Sequence, residues 1–190
     1  MVTLPPEAGT GGNLELRPAV RATGQKGLSL RQGGGLFFKL ATEPDQLDRL
    51  AHEDRVLKSL VGWPLARRRR FRRGKTRALL VTEAIAGRCL VADDLAPNSA
   101  LRKALEAALA ALHEQGWVHG DLAPTNVIWD GTRAWLIDLE HAAPIGAALA
   151  SLPARGVRPG LTHPDVIWGR GRVRPEHDFW ALARMAEGVA

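Results

Sequence analysis

Between Trp117 and Glu140 the chain reads WVHGDLAPTNVIWDGTRAWLIDLE, and this stretch constrains the fold more than any other. Short apolar runs alternate with polar loops, so it reads as loop, strand, turn and second strand rather than as one helix. The polar positions are spaced for chemistry: Asp121 and Asn126 stand five residues apart in one loop, and Asp138 follows seventeen residues after Asp121 at the end of the hairpin.

Phosphoryl transfer asks little covalent chemistry of a protein. It needs metal ions on the phosphates, a carboxylate near the attacking hydroxyl and cations on the transferred group. A loop with Asp and then Asn can place one side chain at the nucleophile and one at a metal, and an Asp at a hairpin end can hold a second Mg2+, which prefers hard oxygen ligands. The competing structural reading is a hairpin of surface acids with His119 packed in the core. Spacing, residue type and flanking apolar runs agree on the first reading.

On these residues, HGDLAPTN resembles the catalytic loop of the protein-kinase superfamily, and LIDLE resembles its metal-binding Asp motif. The resemblance implies Asp121 as catalytic base, Asn126 as a magnesium ligand and Asp138 as the principal magnesium ligand. Lys39 in LFFKLA falls where that family keeps the lysine that contacts the α- and β-phosphates, and Glu53 where it keeps the helix partner of that lysine, with the adjacent Asp54 as a rival. Leu79 to Gly87 resembles the adenine-binding hinge, which implies Thr82 as gatekeeper and backbone groups of Glu83 and Ile85 on the adenine edge. RATGQKGL keeps Gly24 and Gly27 where the last two glycines of the phosphate loop lie, with Ala22 in place of the first. ATP with Mg2+ (or Mn2+ in its stead) is the implied cofactor set. Thr162 to Asp165 resembles the end of an activation segment, and Arg174 to Leu182 the buried central helix, in which Asp178 ties the catalytic-loop backbone.

The remaining elements fit that frame. LELRPAV, LSLRQ and LFFKLA read as three antiparallel strands separated by turn signals. Thr42 opens a helix with Pro44 and Asp45 in its first turn, and Leu47, Leu50, Leu57 and Leu60 share a face with Glu53. A basic hairpin follows, then a helix from about Ser99 to Gln115 with Gly116 as its stop, and a last helix from near Glu176. The expected fold is α+β and bilobal: an arm over 1–13, a β-rich N-lobe over 14–86, and a short α-rich C-lobe over 87–190 that ends after the central helix.

Composition narrows the setting. No run approaches the roughly 18 apolar residues of a membrane span, and no basic-then-apolar leader opens the chain, so a cytoplasmic location is expected. One cysteine, Cys89, excludes an internal disulfide framework and a Cys-rich zinc site. The net charge of +6 comes from one cluster: eight of 26 Lys/Arg lie in RRRRFRRGKTR, Arg67 to Arg77. A solvated hairpin is the first reading of it, and a polyanion partner at Arg67 to Arg73 the second.

The sequence also departs from the superfamily. Gly120 replaces the arginine that docks a phosphorylated activation loop, Ala123 replaces a lysine of serine/threonine kinases, and Leu139-Glu140 replaces Phe-Gly. An ATP-dependent transferase to a hydroxyl, on protein serine or threonine, is the leading reading. HGD is shared with aminoglycoside- and choline-type kinases, and the brevity resembles small KEOPS-type and lipopolysaccharide kinases, so a small-molecule or glycolipid acceptor is the alternative. A nucleotide-binding pseudokinase is the non-enzymatic one.

Overall fold

The structure is a computed structural model that describes residues 17–18, 27–95, 99–153 and 155–189. The arm over 1–13 and Gly24 lie outside the described residues, as does most of the first expected strand.

The N-terminal half is one antiparallel sheet and one helix. Strands β1 (Arg17–Pro18), β2 (Leu28–Gly33), β3 (Leu36–Ala41), β4 (Arg68–Arg73) and β5 (Ala78–Glu83) assemble in the order β1-β2-β3-β5-β4. Tight turns force the β2–β3 and β4–β5 pairings; β3 meets β5 because the intervening helix α1 (Pro44–Ser59) carries the chain across the sheet. In this register Lys39 stands opposite Leu30 on one side and Leu80 on the other. Because side chains alternate between faces, Phe37 and Lys39 of β3 share a face with Leu80 and Thr82 of β5, and α1 packs on that face through Leu47 and Leu50 against Ala41, Ala78 and Leu80.

The start of α1 differs from the sequence expectation. Glu43, not Thr42, is the capping residue, with Pro44 as the first helical residue. Thr42 is spoken for: both its amide and its hydroxyl donate to the Gly27 carbonyl, at 2.8 and 3.2 Å, which ties it to the turn before β2. Leu60 falls just past the helix in extended backbone, yet stays buried in the core.

The C-terminal half is built on helix α2 (Ser99–Glu114). Leu101, Leu105, Ala108, Leu109 and Leu112 recur at helical spacing and are wholly buried. They face Val127, Ala134 and Leu136 of a three-stranded sheet, in which β6 (Arg88–Cys89), β8 (Val127–Trp129) and β9 (Ala134–Leu136) pair in that order. Strand β7 (Trp117–Val118) pairs with β10 (Ala143–Pro144), closing the two ends of the site loop on each other. Two helices follow, α3 (Pro164–Trp168) and α4 (Glu176–Ala186), and α4 adds Ala181, Leu182 and Met185 to the same core. The result is the expected bilobal α+β arrangement. Among the described residues no helix is long and apolar enough to cross a membrane.

Candidate active site

A cavity of about 800 Å3 lies between the sheet and the α2 half of the molecule. Its walls include Phe37, Lys39, Leu80 and Thr82 from the sheet, Glu53 from α1, Glu83 to Val91 from the segment joining the halves, and Thr125, Ile128 and Leu136 to Leu139 from below. Glu83, Ile85, Lys39, Glu53 and Asp138, all singled out by sequence, therefore face one space. Gly27 does not line it. It has a positive φ of 78° and packs against Glu43, where any Cβ would collide with that side chain.

At the back of the cavity three charged groups meet. The Lys39 ammonium lies 2.8 and 2.7 Å from the two Glu53 oxygens and 3.0 Å from Asp138 Oδ1. Lys39 and Glu53 are buried, Lys39 being 7% exposed. Burial by itself would pull the ammonium down, but Asp138 and Glu53 outweigh it and hold Lys39 above the ordinary lysine value, so it is charged at any physiological pH. Asp54 is not a rival partner. It sits on the other side of α1 and takes Arg68 of β4 and Lys58, the latter at 2.7 Å.

Asp138 is the one non-glycine residue with positive φ, 70°, among the described residues. Left-handed backbone is sparsely used by side-chain-bearing residues, Asp tolerating it better than most. Here it turns the carboxylate toward Lys39 at the point where the chain leaves β9 and enters a 3-10 turn, Leu139–His141. Leu139 is buried and Glu140 reaches Arg49 of α1 at 3.5 Å, which anchors the turn after Asp138 to the helix that carries Glu53.

The Asp121 loop is held from beneath. Asp178 of α4, 1% exposed, accepts from the His119 amide at 2.8 Å and the Gly120 amide at 3.1 Å, and His113 lies 2.9 Å from it. This is the backbone tie that the sequence assigned to Asp178. His119 in turn spans the two motifs: its Nε2 lies 3.0 Å from the Ile137 carbonyl and its Nδ1 3.3 Å from the Asp121 amide, the pattern of a ring that donates from Nε2. Gly120 has φ 75°, and a Cβ there would collide with the His141 carbonyl, so the arginine of related loops cannot fit. Asn126 is wholly buried; its Nδ2 donates to the Asp121 carbonyl at 2.7 Å and to Asp121 Oδ2 at 3.0 Å, and its own carbonyl accepts from the Ile137 amide at 3.0 Å. Asp121 and Asn126 are thus bonded to each other, and Asn126 to Ile137, the residue before Asp138.

Sequence reasoning missed two residues, Arg158 and His113. Arg158, in the segment between the 3-10 turn at Leu149–Ser151 and α3, sets Nε on Asp121 Oδ1 at 2.7 Å and Nη2 on Oδ2 at 2.8 Å. Asp121 raises the Arg158 guanidinium above its usual value. Nothing local in PARGVRPG marks that arginine, since the contact spans 37 residues. His113 was also unmarked, being one polar residue in the last turn of an apolar helix.

The donor set suits the group that the motifs imply. A carboxylate and an amide on adjoining loops offer hard oxygen ligands, while the buried cation beside them matches phosphate oxygens. Three of the eight basic residues of the hairpin make internal pairs: Arg68 with Asp54, Arg69 with Glu83 at 2.5 Å and Arg73 with Asp48 at 2.7 Å.

No curated protein matches the chain. The model of the phosphotransferase enzyme family, APH, matches residues 6–148, which takes in the sheet, the Lys39–Glu53 pair, the Asp121 loop and Asp138. With well over half of its length inside that match, the chain belongs to the phosphotransferase enzyme family.

Proposed function

We propose that this protein transfers the γ-phosphoryl group of Mg·ATP to an alcohol, with residues 14–86 and 87–190 as the two lobes that clasp the nucleotide. The observation that carries the reading is the Lys39–Glu53–Asp138 triad at the back of the cavity. Such a triad has no structural need to face an 800 Å3 cavity, and burying it is costly unless the charges are used.

In this reading the adenine lies along Glu83 to Ile85, whose backbone groups read its edge, with Thr82 behind it. Lys39, aimed by Glu53, meets the α- and β-phosphates. Asn126 and Asp138 hold Mg2+, which supplies charge neutralisation on the phosphate oxygens. Asp121 orients the acceptor hydroxyl. That oxygen bonds to the γ-phosphorus, the bond from phosphorus to the β–γ bridging oxygen breaks, ADP leaves, and the hydroxyl proton passes to the Asp121 carboxylate. A protein serine or threonine is one acceptor of this kind and a small molecule another; the match to a phosphotransferase family rather than to protein kinases alone favours the small molecule. The protein acts in the cytoplasm, where ATP is.

The test is thermal unfolding with and without millimolar Mg·ATP, followed by incubation with labelled ATP and protein, sugar and lipid acceptors. Mg·ATP raises the melting temperature of the parent, and Asp138→Ala abolishes the rise. An unchanged melting curve for the parent would falsify the nucleotide reading. Nucleotide binding without turnover on any acceptor, water included, would favour a pseudokinase.

A further inference from the structure

Arg158 occupies the acceptor side of Asp121. Its two nitrogens take both carboxylate oxygens, and Asn126 Nδ2 shares Oδ2, so a hydroxyl approaching Asp121 meets a guanidinium first. The Arg158 side chain is 39% exposed against 10% for Asp121, so the guanidinium is the more solvent-accessible member of the pair.

The backbone beneath it is fixed. The Arg158 amide donates to Thr162 Oγ1 at 2.7 Å, and the Arg158 carbonyl accepts from the Leu161 and Thr162 amides at 3.1 and 3.0 Å. Gly156 lies so close that a Cβ there would sit 2.6 Å from Asp121 Cβ. Arg155 points elsewhere, donating to the Leu149 carbonyl at 3.2 Å. Movement of the Arg158 side chain on this hydrogen-bonded backbone would free both Asp121 oxygens of the guanidinium.

That movement breaks two charge-assisted hydrogen bonds in fork geometry, which matches carboxylate or phosphate. A neutral acceptor would have to offset that loss from its own binding, whereas an anionic one replaces the carboxylate with a like partner. The segment that carries Arg158 is basic in composition: from Ile145 to Pro175 the chain has five arginines (155, 158, 170, 172 and 174) and one acidic residue, Asp165, which pairs with Arg174 at 3.1 Å. Asp138 lines the large cavity, whereas Asp121 lines a separate pocket with Arg155, Thr162 and His163.

We infer that Arg158 is a specificity-determining residue for an anionic acceptor: an alcohol that bears a phosphate or carboxylate group and takes the guanidinium from Asp121 as it binds. The inference rests on Asp121 facing the acceptor hydroxyl, and it deepens the reading above by naming the acceptor's charge. In the free protein the Asp121 pair is a resting state; the right acceptor releases it, and water or a neutral alcohol does so less often.

The experiment compares matched acceptors on the parent, Arg158→Gln and Arg158→Lys. One arm holds phosphorylated alcohols such as glycerol 3-phosphate and glucose 6-phosphate, a second holds carboxylated sugars such as gluconate, and a third a serine peptide flanked by glutamates. Each is paired with its neutral counterpart. ADP release gives kcat/KM, and thermal shift without nucleotide reads acceptor binding separately. For the parent, the anionic member of at least one pair is favoured by about tenfold to a hundredfold, the range that charge-assisted hydrogen bonds supply. Arg158→Gln erases that preference through KM and makes the neutral member faster, and Arg158→Lys restores part of it, keeping the charge without the fork. The arm that responds identifies the source of the anion. A preference for neutral members overturns the inference, as does an anionic preference that survives Arg158→Gln, or Mg·ATP binding intact with no anionic alcohol bound or phosphorylated. Loss of Mg·ATP binding in the parent would instead strike the phosphotransferase reading itself.

Discussion

Glu53→Gln isolates what the buried triad does. The substitution keeps the shape and one acceptor oxygen but removes a charge whose two oxygens lie 2.7 and 2.8 Å from the Lys39 ammonium. Deleting one partner of a buried ion pair typically costs about 3–5 kcal/mol. Asp138 remains 3.0 Å from Lys39 as a second counterion, so the low end, about 3 kcal/mol, is expected. For a domain of roughly this size each kcal/mol moves the melting temperature by about 2–4 °C, which makes the expected drop about 6–12 °C. The functional effect has a different origin. Without Glu53 the ammonium collapses onto Asp138, so one cation leaves the phosphates and one metal ligand is neutralised. Losing a charged hydrogen bond of about 1.5–3 kcal/mol at the phosphates lowers kcat/KM by about 10- to 100-fold. Differential scanning calorimetry and Mg·ATP titration measure the two effects separately. Asp54→Asn is the control: its partners are Lys58 and Arg68, so it lowers stability but leaves Mg·ATP affinity unchanged. A Glu53→Gln protein that melts within about 2 °C of the parent and retains Mg·ATP affinity and turnover would refute the assignment, and so would an Asp54→Asn protein that loses nucleotide.

Asp121→Asn is expected to lower turnover by about 10²–10⁴ while Mg·ATP affinity stays within a few fold, whereas Asn126→Ala lowers both; full turnover in Asp121→Asn sinks the base assignment. Asp178→Ala leaves the buried His119 and Gly120 amides unpaired, at about 1–3 kcal/mol each, and its melting temperature should fall while that of Asp178→Asn falls less. Burial, with the nearby charges of His163 and Arg174, holds His177 below the ordinary histidine value. The unfolded chain therefore binds that proton more readily, so the stability this group contributes is complete above about pH 6.5 and is lost as pH falls through the folded value. Urea unfolding between pH 7.5 and 5 should show the decline, and His177→Gln should flatten it. At Arg67 to Arg73, charge reversal of Arg68 and Arg70 should flatten the salt dependence of any polyanion binding; a parent that binds no polyanion in low salt would leave the hairpin with its internal pairs alone.

The local motifs were legible in the sequence because their chemistry is carried by short spacings. HGDLAPTN and LIDLE announced a loop and a hairpin end, and the His119 and Asn126 hydrogen bonds tie the Asp121 loop to Ile137, the residue before Asp138. Helical spacing in α2 and the alternation in β3 and β5 fixed which faces are buried. The choice between Glu53 and Asp54 was not legible. Both stand on α1 one residue apart, about 100° around the helix, and only the packing of α1 beneath β3 decides that Glu53 faces Lys39 while Asp54 faces β4. The place of Thr42 likewise depended on a carbonyl fifteen residues away. Arg158 was the least legible of all. Its significance lies in a bond to Asp121 across 37 residues, made by a segment without a repeating pattern. Periodicity and turn chemistry are properties of neighbours along the chain, so sequence reports them directly. A buried ion pair or a guarded carboxylate is a property of neighbours in space, and only folding creates it.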